Sequence, residues 1–209
     1  MKEQMNSCRR ALLRAGLACC ALPLVGCGGE EPRFNNINIS GADYGNDFAL
    51  LDPDGNVRRI ADFRGKVVMV FFGFIQCPDV CPTALQRAAA VRRLLEADAE
   101  RLQIIFITLD PERDTPGILR EYTAVFESDV IGLYESPEKI RETADAFRIY
   151  FRKVPTGGSY TIDHTATSYI YDPEGRLRLA VTHHSTANSI AADVALLLHP
   201  SSTTNKEAR

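Results

Sequence analysis

Two cysteines four residues apart are the part of this chain best suited to chemistry: Cys77 and Cys81, in the stretch VVMVFFGFIQCPDVCPT that runs from Val67 to Thr83. At i and i+4 they can lie on the same side of one helical turn, so both sulfurs can reach a single small object. Two objects fit: each other, as a disulfide, or one soft metal ion. The interposed Pro78, Asp79 and Val80 make the spacing CxxxC, one residue longer than a CxxC redox motif, which relaxes the geometry and leaves room for an ion. A purely structural staple is a poor use of the pair, because a loop with so few intervening residues gains little entropy on closure. Two small cysteines that only pack are the plainer alternative. Their place between a buried strand and a helix, with prolines following both, argues against it.

The elements around the pair explain that place. Val67 to Phe74 is an almost unbroken apolar, β-rich run, as expected of a strand buried on both faces. After Pro82 the pattern turns helical, with Leu85, Ala88, Ala89, Val91, Leu94 and Leu95 on one side and Arg87, Arg92, Arg93 and Glu96 on the other. The carboxyl edge of an open α/β sheet is where ligands collect, and amides at a helix start stabilise a thiolate. Ahead of the strand, Asp47–Leu51 and Val57–Ile60 flank Asp52-Pro53-Asp54-Gly55 and predict a small hairpin. Behind it come a second buried strand over Leu102–Leu109, a helix from Pro116 to Phe126 capped by Asp114 or Thr115, a short extended run at Ile131–Tyr134, and a helix from Ser136 to about Phe147. Arg148–Thr161, with Gly157-Gly158, reads as a loop. Thr165–Tyr171 and Leu177–Val181 flank Asp172-Pro173-Glu174-Gly175 as a closing hairpin, and Ile190–Leu198 is a final amphipathic helix. This order predicts an α/β thioredoxin-like fold with an amino-terminal β-hairpin and an inserted segment before the carboxy-terminal hairpin.

That topology selects a third ligand. Cu(I) is soft, prefers thiolates and accepts two or three donors, so a two-cysteine site often recruits one imidazole. The candidates are His164, His183, His184 and His199. His164 directly precedes the strand that follows the long loop, and in a thioredoxin-like fold that loop faces the cysteine turn. Asp163 is placed to orient its ring from behind, with an exposed loop acid as the plainer reading. His183 and His184 lie past the last hairpin strand and read as a solvated turn with a secondary metal contact as the alternative; His199, near the tail, is given no role.

The amino terminus carries Lys2, Arg9, Arg10 and Arg14 ahead of an apolar run from Leu17 to Val25, the layout of a secretory signal and too short for a membrane span. Leu24-Val25-Gly26-Cys27 resembles the lipobox of bacterial lipoproteins, which implies cleavage before Cys27 and a lipid anchor on it. Cys8 to Arg14 also resembles a twin-arginine export signal. The expected organisation is therefore a signal over 1–27, a tether over 28–42, a thioredoxin-like domain over 43–199 and a disordered tail over 200–209. Of the 6 cysteines, Cys8, Cys19 and Cys20 leave with the signal and Cys27 is lipidated, so Cys77 and Cys81 remain as the thiols in an oxidising compartment. Losing the four bases and Glu3 of the signal takes the formal charge of −3 to −6, which makes nucleic acid a poor partner.

Three separated motifs, in order, resemble the Sco/SenC family: Phe72 to Pro82, Leu109 to Pro116, and Asp163-His164 followed by Tyr169 to Arg176. The likeness runs from about Phe48 to Leu198. It implies a thioredoxin-like, membrane-tethered copper protein that helps assemble cytochrome c oxidase. Cys77, Cys81 and His164 would bind one copper, as Cu(I) or Cu(II), and deliver it to the binuclear centre of subunit II from the periplasmic face of the bacterial envelope. Asp110 stands at the family's acidic position, with a salt bridge as its plainer role; Gln76 replaces a different polar residue. The competing class is a thiol-disulfide oxidoreductase, with Cys77 and Cys81 as its redox-active pair, that reduces the acceptor's copper-ligand cysteines and is itself recharged by a periplasmic thiol reductant. A peroxidase on the same fold fits less well, because Phe74 and Pro78 stand three residues before the cysteines, where a peroxidase has Thr or Ser.

Overall fold

The computed structural model describes residues 33–126 and 129–200. The expected signal with Cys27, the first residues of the expected tether and residues 201–209 lie outside them. In chain order the elements are β1 (Ile37–Asn38), β2 (Leu50–Leu51), β3 (Val57–Arg58), β4 (Val67–Gly73), α1 (Val80–Leu94), β5 (Leu102–Thr108), α2 (Pro116–Ala124), β6 (Ile131–Leu133), α3 (Pro137–Ala146), β7 (Phe151–Thr156), β8 (Ser159–His164), β9 (Ser168–Tyr171), β10 (Leu177–Val181) and α4 (Ala187–Leu198).

The core is a 6-stranded sheet of order β1-β10-β9-β4-β5-β6. β4 and β5 run parallel, from Val67 opposite Leu102 to Gly73 opposite Thr108, and every residue of both is buried. This is what a continuous apolar run dictates: neither face can meet water, so the strand takes the middle of the sheet and helices cover it. β9 pairs antiparallel with β4 on its other side. α1 and α4 pack against each other and against β4. Phe72, at the centre, meets Phe147, which follows α3, with ring centroids 5.1 Å apart. This mixed sheet with covering helices is the expected thioredoxin-like fold.

Both Asp-Pro-x-Gly sequences form the predicted turns, and in the same way. The Asp52 carboxylate accepts from the Asp54 and Asn56 amides at 3.0 and 2.9 Å, and that of Asp172 from the Arg176 amide at 2.9 Å. Thr115 and Ser136 occupy the predicted helix starts before Pro116 and Pro137.

Three expectations change. The buried stripe of α1 is Cys81, Ala84, Leu85, Ala88, Ala89, Val91 and Arg92, whereas Leu94 is 48% exposed. Helical spacing from Cys81 turns position 92 inward and 94 outward, and buried Arg92 is balanced by ion pairs with Asp129 and Glu100. Second, residues 33–42 are not a free tether. β1 pairs with β10, and buried Asp193 accepts from the backbone and side-chain nitrogens of Asn35 and Asn36, at 2.7 to 2.9 Å. The domain thus begins before residue 43, because a buried carboxylate needs donors and this segment supplies four.

Third, the expected loop over 148–161 is ordered. β7 and β8 form a separate 2-stranded sheet, with Phe151 opposite His164 and Thr156 opposite Ser159. Gly157 and Gly158 turn the chain at φ 55° and 120°, which a two-residue hairpin requires and glycine allows.

Candidate metal centre

Strand β4 ends at Gly73, and the chain turns through Phe74 to Asp79 before α1 begins at Val80. The two cysteines therefore do not share one helical turn. Cys81 lies in the first turn of α1, fully buried; Cys77 stands two residues before the cap at Asp79 and is half-buried. Gly73 makes this possible. A Cβ there would lie 2.7 Å from the Cys81 Sγ and 2.9 Å from Phe106 Cε2, so the sulfur fills the space a side chain would need. Asp114, buried and expected as one of two candidate helix caps, leaves that place to Thr115 and does something else. Its carboxylate accepts from the Ile75 amide at 3.1 Å and from Thr108 Oγ1 at 2.6 Å, tying the cysteine turn to the end of β5. Burial pushes its carboxyl pKa up.

His164, the last residue of β8, comes to this turn from the opposite side. Its Nε2 is 3.7 Å from Cys81 Sγ, and its Nδ1 is 3.0 Å from the Thr165 carbonyl oxygen. A carbonyl can only accept, so Nδ1 carries the proton and Nε2 turns its lone pair towards the sulfurs. Phe71 and Phe74 stand edge-on to the ring, with centroids 6.2 and 5.9 Å away. The expected orienting role of Asp163 is thus taken by the Thr165 backbone. Asp163 is exposed and pairs with Arg152 at 3.5 Å, because alternate residues of a strand face opposite sides and His164 takes the inward one.

The two thiols are unlike. The Cys77 thiol is pulled down to about 3: Cys81 donates to it, and the amides of Asp79 and Cys81 also favour the thiolate over the opposing effect of burial. Cys81 is pushed far up, since it keeps its proton against the neighbouring Cys77 sulfur and is buried. The pair therefore carries one negative charge at neutral pH, on the more accessible sulfur.

The ligand atoms of Cys77, Cys81 and His164 all lie within 4.8 Å of one another. Around a three-coordinate ion with metal–thiolate and metal–imidazole bonds of about 2.3 and 2.0 Å, a sulfur and a nitrogen would stand about 3.7 Å apart. Cys81 and His164 already have that spacing, and two sulfurs with one imidazole suit a soft ion better than a hard one. The site opens to solvent through a depression lined by Pro78, Val80, Thr161 and Ala166. His183 and His184 are not part of the group: they stack on each other at 3.7 Å in an exposed loop, which Arg87 holds by donating to the His183 and Ser185 carbonyls. His199 pairs with Asp98 at 2.8 Å. Asp110 has its salt bridge, to Arg113, and also accepts from the Tyr160 hydroxyl at 2.7 Å.

A thioredoxin-like domain with a CxxxC turn and a histidine brought over it defines a class of thiol-based metal or redox proteins. The family model for SCO1/SenC matches residues 38–199, and the chain belongs to that family. It is 37% identical over 186 residues to the mitochondrial SCO2 homologue of Bos taurus, covering 86% of this chain and 68% of that relative. A SCO2-like protein of Rickettsia felis is 32% identical, covering 70% and 74%. Among solved structures, Bradyrhizobium japonicum ScoI with copper bound is 39% identical with a TM-score of 0.67, covering 74% of this chain and 98% of that one. Among the described residues, no helix is long and apolar enough to cross a membrane.

Proposed function

We propose that this chain is a copper carrier of the bacterial cell envelope. Anchored by lipid on Cys27 and facing the periplasm, it holds one copper through Cys77, Cys81 and His164 and passes it to the binuclear centre of cytochrome c oxidase subunit II during assembly. The observation that carries this reading is the convergence of two sulfurs and an imidazole with its lone pair already aimed at them. The copper held by the solved Bradyrhizobium relative supports the choice of ion. The oxidase partner rests on the family, and the anchor on the lipobox-like Leu24-Val25-Gly26-Cys27.

In this reading copper is cargo. Cys77, accessible and ionised, receives it; Cys81, beneath, gives up its proton on binding; His164 closes over it. Release follows by ligand exchange as an acceptor's donors replace them in turn, which the opening to solvent permits. Copper analysis of the purified chain is expected to find one ion per chain in the wild type and none in Cys77→Ser. Should His164→Ala lose copper while oxidase assembly in cells proceeds normally, carriage is not the main role. Incorporation of labelled palmitate, lost in Cys27→Ser, tests the anchor.

The inequality of the two thiols favours a second activity on the same acceptor. The Cys77 thiolate attacks a disulfide of the acceptor, forming a mixed disulfide and expelling one acceptor thiolate. Cys81 then attacks Cys77 Sγ, its proton passing to the released sulfur. The pair ends as a disulfide, two electrons poorer, and the acceptor as a dithiol; a periplasmic thiol reductant restores the pair.

A further inference from the structure

The hairpin that carries His164 has no ladder bonds to the main sheet, so its position depends on what grips it. One side chain grips it near its tip and the cysteine turn together. Arg113, in the loop between β5 and α2, donates through Nη1 to the Tyr160 carbonyl at 2.9 Å and towards Ser159 Oγ at 3.4 Å, both at the start of β8. The same nitrogen donates to Gln76 Oε1 at 3.0 Å, and Gln76 directly precedes Cys77. Its Nε pairs with the fully buried Asp110 carboxylate, which also accepts from the Tyr160 hydroxyl at 2.7 Å. The guanidinium lies 3.7 Å from the centre of the Tyr160 ring. From Tyr160 the strand runs four residues to His164, about 13 Å at the usual rise.

We propose that Arg113 is a positioning residue of the metal centre: by bridging Gln76 to Ser159 and Tyr160, it sets how closely the His164 hairpin is held over the cysteine turn. The planar fork of the guanidinium suits this role, since it can bond the carboxylate, the turn and the strand at once while stacking on Tyr160; a lysine ammonium cannot. With the latch made, Nε2 stays within ligand distance of Cys81. With it broken, the hairpin keeps its base, where Phe151 and Ile162 are buried and the Thr165 amide donates to the Tyr150 carbonyl, and keeps the contacts of Tyr160 and Lys153 with Asp110 and Glu112, but it loses its tie to the cysteine turn. Arg113 itself touches neither the sulfurs nor the ring.

The inference rests on the copper-carrier reading, and the experiment separates the two. Cu(I) affinity of the full chain is measured by competition with a chromophoric chelator for the wild type, Arg113→Ala, His164→Ala and the double variant. The expected loss in Arg113→Ala is about 10- to 100-fold, the range for residues that support a ligand from behind, with no further loss when it is added to His164→Ala. Gln76→Ala breaks the exposed end of the latch without uncovering Asp110; it is expected to lose about 2- to 10-fold, the worth of one such bond, and stands in if Arg113→Ala fails to fold. In the metal-free protein, Arg113→Ala should speed amide exchange over Ile162–Thr165 while leaving β4 and β5 unchanged. Copper bound equally by wild type and both latch variants, or a loss that persists in full in the His164→Ala background, overturns the latch alone. A wild type that binds no copper overturns both readings.

Discussion

The central sheet and the β7–β8 hairpin are built on opposite terms, and the metal centre lies across them. In the sheet, β4 and β5 share a continuous backbone ladder and bury every side chain. The hairpin pairs only with itself, leaves much of both strands accessible and is held by side chains: Arg113 and Tyr160, Lys153 on Glu112, Arg141 on the Phe151 carbonyl, and a few buried residues. The cysteines stand at the carboxyl edge of the sheet and the histidine stands on the separately paired hairpin. A centre divided this way can keep its sulfurs fixed while its third donor approaches or withdraws, which suits an ion that must be both held and surrendered.

Truncation breaks the contrast most sharply. Phe72→Ala in β4 should cost about 3–5 kcal/mol, as for a fully buried aromatic, read from urea melts of the metal-free protein. Tyr160→Ala in the hairpin should cost about 1 kcal/mol or less yet weaken copper binding. Equal stability losses would mean that the hairpin is as much a part of the cooperative core as the sheet. Next in size, His164→Ala should lower Cu(I) affinity by at least about 100-fold, more than residues that merely support a ligand, with little change in the melt.

Gly73→Ala tests the rigid side of the centre. Its Cβ would press on Cys81 Sγ and Phe106, at an expected cost of about 1–3 kcal/mol for overpacking, together with altered thiol reactivity. The smallest effect is in pH. Since Cys77 is pulled down to about 3 from an ordinary 9.0, the folded pair holds one proton where the unfolded chain holds two. Its contribution to stability therefore falls as pH drops from about 9 towards 3. Above 9 it falls again, because raised Cys81 keeps a proton that the unfolded chain releases. Alkylation of Cys77 by iodoacetamide should accordingly be nearly flat from pH 5 to 8, where an ordinary thiol speeds up about tenfold per unit rise in pH.

How much of this could be read beforehand follows the same division. The strands of the sheet announce themselves by apolar runs, the turns by Asp-Pro-x-Gly and two of the helices by a proline in the first turn, so the order of elements and the thioredoxin-like fold were legible. So was the meeting of Cys77, Cys81 and His164 at one place, from spacing and topology. The hairpin was not: Arg152, Lys153, Asp163 and the two glycines suggest a solvated loop, although Gly157-Gly158 between extended runs is itself a hairpin signal. Gly73, Asp114 and Arg113 could not have been found by local pattern, because their decisive contacts are with Cys81, Ile75 and Tyr160, which are 8, 39 and 47 positions away. Asp193, a lone acid among apolar helix positions, offered a hint, since a buried acid must find donors somewhere.

X-ray absorption at the copper edge, on the full chain loaded with one equivalent of Cu(I), tests the central claim most directly. Two sulfur donors and one imidazole nitrogen in the wild type, with only the nitrogen lost in His164→Ala, is the result predicted here. A wild-type spectrum without a nitrogen donor, or one that His164→Ala leaves unchanged, would contradict the joining of a fixed cysteine turn to a hinged histidine arm.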